Sequence, residues 1–203
     1  MILIGITGII GSGKTTVSSM LEKEGYFIID LDRIAKDTLS QKDVIREIGE
    51  AFGKEYLTGD HVNIEKIGKT VFQNKDMLKM LEGITHPKII DRLFQEVGRM
   101  KKTGAKSVII DGPLLFETGL YRRLDKVVVV STNPETLSER LIKRGMEQED
   151  IKKRMAFQIS LEEKEKLADV VVQNNGTIED LKREISKLSE TIKGWEVEID
   201  APK

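Results

Sequence analysis

Gly8-Ile9-Ile10-Gly11-Ser12-Gly13-Lys14-Thr15 fits the pattern G-x-x-x-x-G-K-[ST] in full. It follows an apolar run at residues 2–6 and precedes Val17, Met20 and Leu21, which share one helical face, so it joins a predicted strand to a predicted helix. The spacing has a physical cause. Glycines let the backbone fold into a concave loop whose N–H groups point at phosphate oxygens, and the helix start adds its positive dipole end. Gly11, Ser12, Gly13, Lys14, Thr15 and Thr16 are the expected phosphate-binding set, with Lys14 reaching the β- and γ-phosphates of ATP and Thr15 placed to ligate Mg²⁺. A glycine-rich turn that merely joins strand to helix is the bland alternative, and the complete pattern in its correct context argues against it.

Outward from this loop, apolar runs recur at residues 26–30, 107–111, 126–131 and 169–173. Each is nearly continuous in apolar character, as strands buried on both faces are, and longer stretches with helical periodicity separate them. The pattern predicts an α/β fold: a five-stranded parallel sheet flanked by helices. Between residues 30 and 107 no strand is evident. Val44, Ile45, Ile48 and Phe52 form one helical stripe, Ile64, Ile67 and Val71 a second, and Met77, Leu78, Leu81 and Ile84 a third. A fourth, from Ile89 to Met100, starts after His86-Pro87, with the proline near the helix start. The expected organisation is one domain over 1–203. Its core takes residues 1–33 and 103–203, a helical insertion that binds substrate covers 34–102, and a charged helical lid covers 145–166. A final helix starts at Thr177 with Asp180, and the tail from 194 to 203 is expected only to rest on the surface.

The chain has 203 residues, 39% of them hydrophobic, enough for one real core. Lys and Arg number 33 against 34 Asp and Glu, so no global field draws the chain to nucleic acid or to an anionic membrane, and an anionic ligand needs a local site. Zero Cys removes disulfides, thiolate zinc sites and thiol nucleophiles, and leaves His61 and His86 as the imidazoles. No apolar run approaches the roughly 18 residues of a membrane span. A cytoplasmic protein is expected, monomeric or a small homo-oligomer.

A phosphate loop does not name the reaction, so the acceptor side must come from other strand ends. Asp30-Leu31-Asp32 closes the second strand, where ligands gather in parallel sheets. If the strand continues, residues 30 and 32 share a face and Asp32 lies farther out, the better general base; a helix N-cap is the alternative role, chiefly for Asp30. Asp111 stands where a carboxylate steadies Mg²⁺ through water, and Leu114-Leu115-Phe116-Glu117 follows it. Those apolar residues either meet a ligand or pack on the insertion. Arg140 and Arg144, four apart on one helical face, either neutralise phosphoryl charge and stack on adenine or form an exposed face; Arg154 and Gln158 repeat the spacing.

Four motifs in order, Gly5-Ile6-Thr7-Gly8 through Lys14-Thr15, Asp30-Leu31-Asp32, His86-Pro87 and Pro113-Leu114-Leu115-Phe116-Glu117, make the chain resemble the dephospho-CoA kinases. Arg140 to Arg144, Arg154 with Gln158, and Ala168-Asp169 through Asn174-Asn175-Gly176 extend the likeness to residues 1 to about 193. Ile9 stands where that family usually has Gly, and Leu31 where it often has Ala. The resemblance implies transfer of the ATP γ-phosphoryl group to the ribose 3′-hydroxyl of dephospho-CoA, with Mg²⁺. It implies Asp32 as base, Lys14 and Arg140 as charge stabilisers, and Asn175 within a turn at 174–176 that frames adenine with Arg140. His86, Leu115, Phe116 and Glu117 would then be on the acceptor side, His86 either touching substrate or fixing its turn. A kinase of another small acceptor is the competing reading. A nucleotide-hydrolysing switch lacks its guanine reader, because Asn74-Lys75-Asp76 has the wrong spacing.

Overall fold

The computed structural model describes residues 1–200, apart from the side chains of Asp150, Lys153, Arg154, Ile199 and Asp200. The chain runs β1 (Ile2–Gly8), α1 (Lys14–Lys23), β2 (Phe27–Asp30), α2 (Leu31–Thr38), α3 (Lys42–Phe52), β3 (Leu57–Thr58), β4 (His61–Val62), α4 (Ile64–Val71) and α5 (Lys75–Lys102). It continues as β5 (Ser107–Asp111), β6 (Lys126–Ser131), α6 (Pro134–Lys143), α7 (Gln148–Ala156), α8 (Leu161–Leu167), β7 (Val170–Gln173) and α9 (Ile178–Asp200). Two compact units result, one of Met1–Ile29 with Arg99–Lys203, the other Asp30–Gly98.

The first unit is built on the five-stranded sheet, in the order β2-β5-β1-β6-β7. The central β1 pairs in parallel with β5, Ile2 beside Ser107 and Ile6 beside Asp111, and with β6, Ile4 beside Lys126 and Gly8 beside Val130. This register brings the ends of β1, β5 and β6 together around the phosphate loop. On one face Ile4, Val128, Val130 and Val172 pack with Val17 and Leu21 of α1 and with Leu181, Ile185, Leu188 and Ile192 of α9. On the other, Phe116, Val127 and Val129 pack with Tyr121, Ile159 and Leu161. Only the central strands are buried on both faces; on the edge strand β2, Phe27 is exposed despite its apolar run.

The sequence places α9 well at its start, where Thr177 and Asp180 exchange hydrogen bonds. Its end differs from expectation. The helix continues to Asp200 and Trp195 packs against the sheet core, with Lys126 Nζ 5.4 Å from the ring centre, while Glu196 accepts from Ser107 Oγ at 2.6 Å. One large ring and one carboxylate suffice to dock a turn that average hydropathy reads as surface; residues 201–203 of the expected tail lie outside the described residues.

In the second unit Val44, Ile48, Phe52, Val62, Ile67 and Val71 form the core, with Leu78, Leu81 and Ile84 packed on it. Two expectations fail here. The interval does hold strands, the two-residue pair β3 and β4, too short to show periodicity and turned at Gly59 with φ 59°. The two expected helices around His86-Pro87 are one 28-residue helix, α5, with Pro87 in its interior. An interior proline costs about 3 kcal/mol or more, and packing on both sides of it offsets that here: Leu81 and Ile84 join the core, and Leu93 and Val97 are buried. Gly83, whose carbonyl loses its helical donor, is exposed to water.

Candidate active site

Gly13 caps α1 in the left-handed region, φ 92°, where a side chain is strained, and a Cβ there would also collide with Asn174 Nδ2. The loop it closes is held from behind. The Ser12 carbonyl accepts from Asn174 Nδ2 at 2.8 Å and from Arg140 Nη1 at 3.3 Å, and Arg140 Nη2 donates to Asn174 Oδ1 at 3.1 Å. Burial, then the charge of nearby Arg144, pulls the Arg140 pKa below its usual value. Arg140 lies on α6, whose N-cap Asn133 accepts from Thr136 N–H at 2.8 Å. Asn174 was less visible in sequence than Asn175. Asn174 is buried just past β7, whereas Asn175 Oδ1 accepts from Asn133 N–H at 2.6 Å and so braces the α6 cap. From the stretch between α7 and α8, Gln158 Oε1 accepts the Ile10 N–H at 3.3 Å. The side chain of Arg154 falls outside the described residues.

Lys14 Nζ is ion-paired with Asp111 Oδ1, joining the start of α1 to the end of β5. Asp111 is buried, 6% exposed, and the Lys14 ammonium is its ion-pair partner. Thr15 and Thr16 are exposed in the first turn of α1. Asp32 is not on an outward strand face as expected. β2 ends at Asp30, whose side chain accepts the Arg33 N–H at 3.1 Å and caps α2, and Asp32 sits in the first helical turn. The helix begins at once because the cap satisfies one of its orphan N–H donors. Asp32 and His86 belong to the Asp30–Gly98 unit; Lys14, Asp111, Arg140 and Asn174 belong to the other.

The segment 113–117 is turned inward. Leu115 is 1% and Phe116 7% exposed, while Leu114 is the exposed member. Glu117 Oε1 is ion-paired with Lys164 Nζ at 2.8 Å and accepts the Ile159 N–H at 2.9 Å. Leu115 and Phe116, expected on the acceptor side, are thus turned toward the core, where Phe116 packs with Val127, Val129 and Leu161, while Glu117 turns to Lys164 of α8. Lys164 was missed as well: the stretch from 147 to 166 reads as a solvated charged lid, yet this lysine is fully buried. Its only sequence signal is its place in α8 three residues after Leu161, on the inward face. Phe116→Ala is expected to lower stability by about 3–5 kcal/mol in denaturant titration, the usual cost of a buried phenylalanine, and to leave the acceptor constant of the folded enzyme nearly unchanged. Wild-type stability with a raised acceptor constant would return Phe116 to the binding surface.

A cavity of about 550 Å³ lies beside the loop, lined by Ile9, Leu137 and Asn175 and by Met155, Ile159 and Leu161 from the stretch α7 to α8, within the range of small-molecule sites. The dephospho-CoA kinase family model matches residues 2–180. The chain belongs to that family. It is similar to the dephospho-CoA kinase of Corynebacterium glutamicum, 40% identical over 192 residues covering 93% of this chain and 96% of that one. A crystal structure from Thermus thermophilus superposes with a TM-score of 0.83 at 34% identity, covering 94% of this chain and 97% of the other. The dephospho-CoA kinase from Campylobacter jejuni gives a TM-score of 0.71 at 29% identity, covering 95% and 98%. The five-stranded parallel sheet flanked by helices thus has the P-loop kinase fold of these neighbours. Among the described residues no helix is long and apolar enough to cross a membrane.

Proposed function

We propose that the chain transfers the γ-phosphoryl group of ATP to the ribose 3′-hydroxyl of dephospho-CoA, giving coenzyme A and ADP. The family match over residues 2–180 carries this reading, and the complete phosphate loop with Arg140 and Asn174 behind it supports it. Phosphoryl transfer needs positioning and charge stabilisation more than covalent chemistry. Backbone N–H groups of Gly11 and of residues 13–15 hold the β- and γ-phosphates, while the Ser12 N–H closes the loop on the Ile9 carbonyl at 3.1 Å, and Lys14 exchanges Asp111 for phosphate oxygens. Arg140 adds a fixed positive charge whose partial desolvation strengthens its pull on the transferring group. Asp32 orients the acceptor hydroxyl and takes its proton.

Mg²⁺ fits Thr15 and Asp111, a hydroxyl at a helix start and one buried carboxylate. The described residues hold no group of three or more His, Cys, Asp or Glu that could bind a metal, and a magnesium ion that arrives on nucleotide phosphates needs no such cage. When bound it would neutralise phosphate charge. The acceptor is assigned to the Asp30–Gly98 unit with Asp32 and His86, and residues 145–166 serve as the lid. A cytoplasmic monomer or small homo-oligomer completes the proposal.

The test is a coupled assay of ADP release with and without dephospho-CoA. A kinase that closes fully only over both substrates protects ATP from water, so dephospho-CoA is expected to raise the rate by at least about 10²-fold, the scale of a contributed acid–base step. Equal rates would make the chain an ATPase, and stimulation by a nucleotide instead would favour the other-acceptor reading.

A further inference from the structure

Among the described residues, Lys164 is the fully buried cation that the phosphate chemistry above leaves unused. Its Nζ donates to the Pro113 carbonyl at 2.8 Å and pairs with Glu117 Oε1 at 2.8 Å, and the ammonium stands 5.9 Å from the Phe116 ring centre. The Pro113 carbonyl takes a second hydrogen bond, from Thr7 Oγ1 at 3.1 Å. Thr7 is the residue of β1 just before the phosphate loop, and Pro113 lies two residues after Asp111, so this carbonyl ties the end of β1, which leads into the loop before Lys14, to the end of β5, which carries Asp111. Glu117 reaches the other way, to the Ile159 N–H between α7 and α8, and its Oε2 is buried without a partner.

A buried ammonium is costly, and a lysine that only filled space would be replaced without loss by an apolar residue of similar volume. Burial lowers the Lys164 pKa, Glu117 opposes that, and the charge of Lys14 lowers it further, so Lys14 is within electrostatic reach. Lys14, Asp111, Lys164 and Glu117 thus form two ion pairs joined through the turn 111–113.

We propose that Lys164 is a positioning residue for phosphoryl transfer: held by Glu117, it clamps the Pro113 carbonyl and so couples the lid segment to the strand end that sets Asp111 and, through it, Lys14. The clamp acts on where the reacting groups stand, and therefore on kcat more than on ATP binding. This inference rests on the kinase reading, and one assay separates the two. Failure of dephospho-CoA to stimulate ADP release by the wild type is a failure of the reading, whereas failure of the clamp shows only as variants that turn over like the wild type.

Lys164→Met with Glu117→Gln removes both charges without leaving either buried alone. We expect this variant to fold, with ATP binding by calorimetry within about threefold of wild type, and kcat per ATP-binding site to fall about 10- to 100-fold, the scale of a misplaced reacting group. Lys164→Arg keeps the charge and the donor and is expected to recover most of that loss. A merely structural lysine would lower the melting temperature and the number of ATP-binding sites but leave kcat per site unchanged, and that result overturns the proposal. Should the double variant not fold, Glu117→Gln alone keeps the volume and an acceptor for Ile159 while weakening the hold on Lys164. A kcat reduced several-fold at unchanged ATP affinity then supports the clamp, and wild-type kcat overturns it.

Discussion

Asp32→Asn is expected to lower turnover by about 10²- to 10⁴-fold, the usual worth of a general base, while Mg·ATP binding by calorimetry stays within a few-fold of wild type. A ribose hydroxyl is a poor nucleophile at neutral pH. A carboxylate hydrogen-bonded to it holds the oxygen in line with the γ-phosphorus and accepts its proton as the bond forms; asparagine keeps the shape and lacks the acceptor charge. The structure supplies an internal control in Asp30, two residues away. Its carboxylate caps α2 by accepting the Arg33 N–H, a task asparagine performs equally well, so Asp30→Asn is expected to change stability and turnover little. Should Asp32→Asn weaken Mg·ATP binding as severely as it slows turnover, Asp32 serves the metal and the base lies elsewhere. Should Asp30→Asn give the larger loss, the assignment of the two carboxylates is reversed.

Lys14→Ala is expected to reduce turnover by about 10²- to 10³-fold or more, the range for deleting one electrostatic partner of developing charge, and to weaken ATP binding as well. Both ground-state phosphates and the transferring group lean on that ammonium. The pairing with buried Asp111 adds a second consequence. Removing Lys14 leaves the Asp111 carboxylate uncompensated, and breaking one side of a buried pair costs about 3–5 kcal/mol, so the single variant is expected to be less stable too. Lys14→Ala with Asp111→Asn relieves the stranded charge. Comparing the two by thermal melting and by turnover separates lost catalysis from lost fold: stability should return in the double variant and turnover should not. Near-normal turnover in folded Lys14→Ala would reduce the loop to a simple turn.

The parts of this protein that follow local rules were legible in the sequence. The phosphate loop depends on glycines and a helix start within eight residues, and the five strands of the large sheet announced themselves because a run of Ile and Val has few other places to go. The cap at Thr177 was equally local, since a side chain three residues from its donor needs no other part of the chain.

What contact between distant residues decides was not legible there. Pro87 reads as a helix start, and only the packing of Leu81 and Ile84 on the core before it and the burial of Leu93 and Val97 after it carry one helix through. Asn174 and Asn175 are the same residue type side by side, and the packing behind Ser12 selects the first for the loop and the second for the α6 cap. Lys164 shows the difference most sharply. In sequence it is one charge among many in a hydrophilic stretch, because hydropathy scores each residue as if it faced water. In the fold, Glu117 and the Pro113 carbonyl satisfy its ammonium, and a charge that is satisfied can be buried.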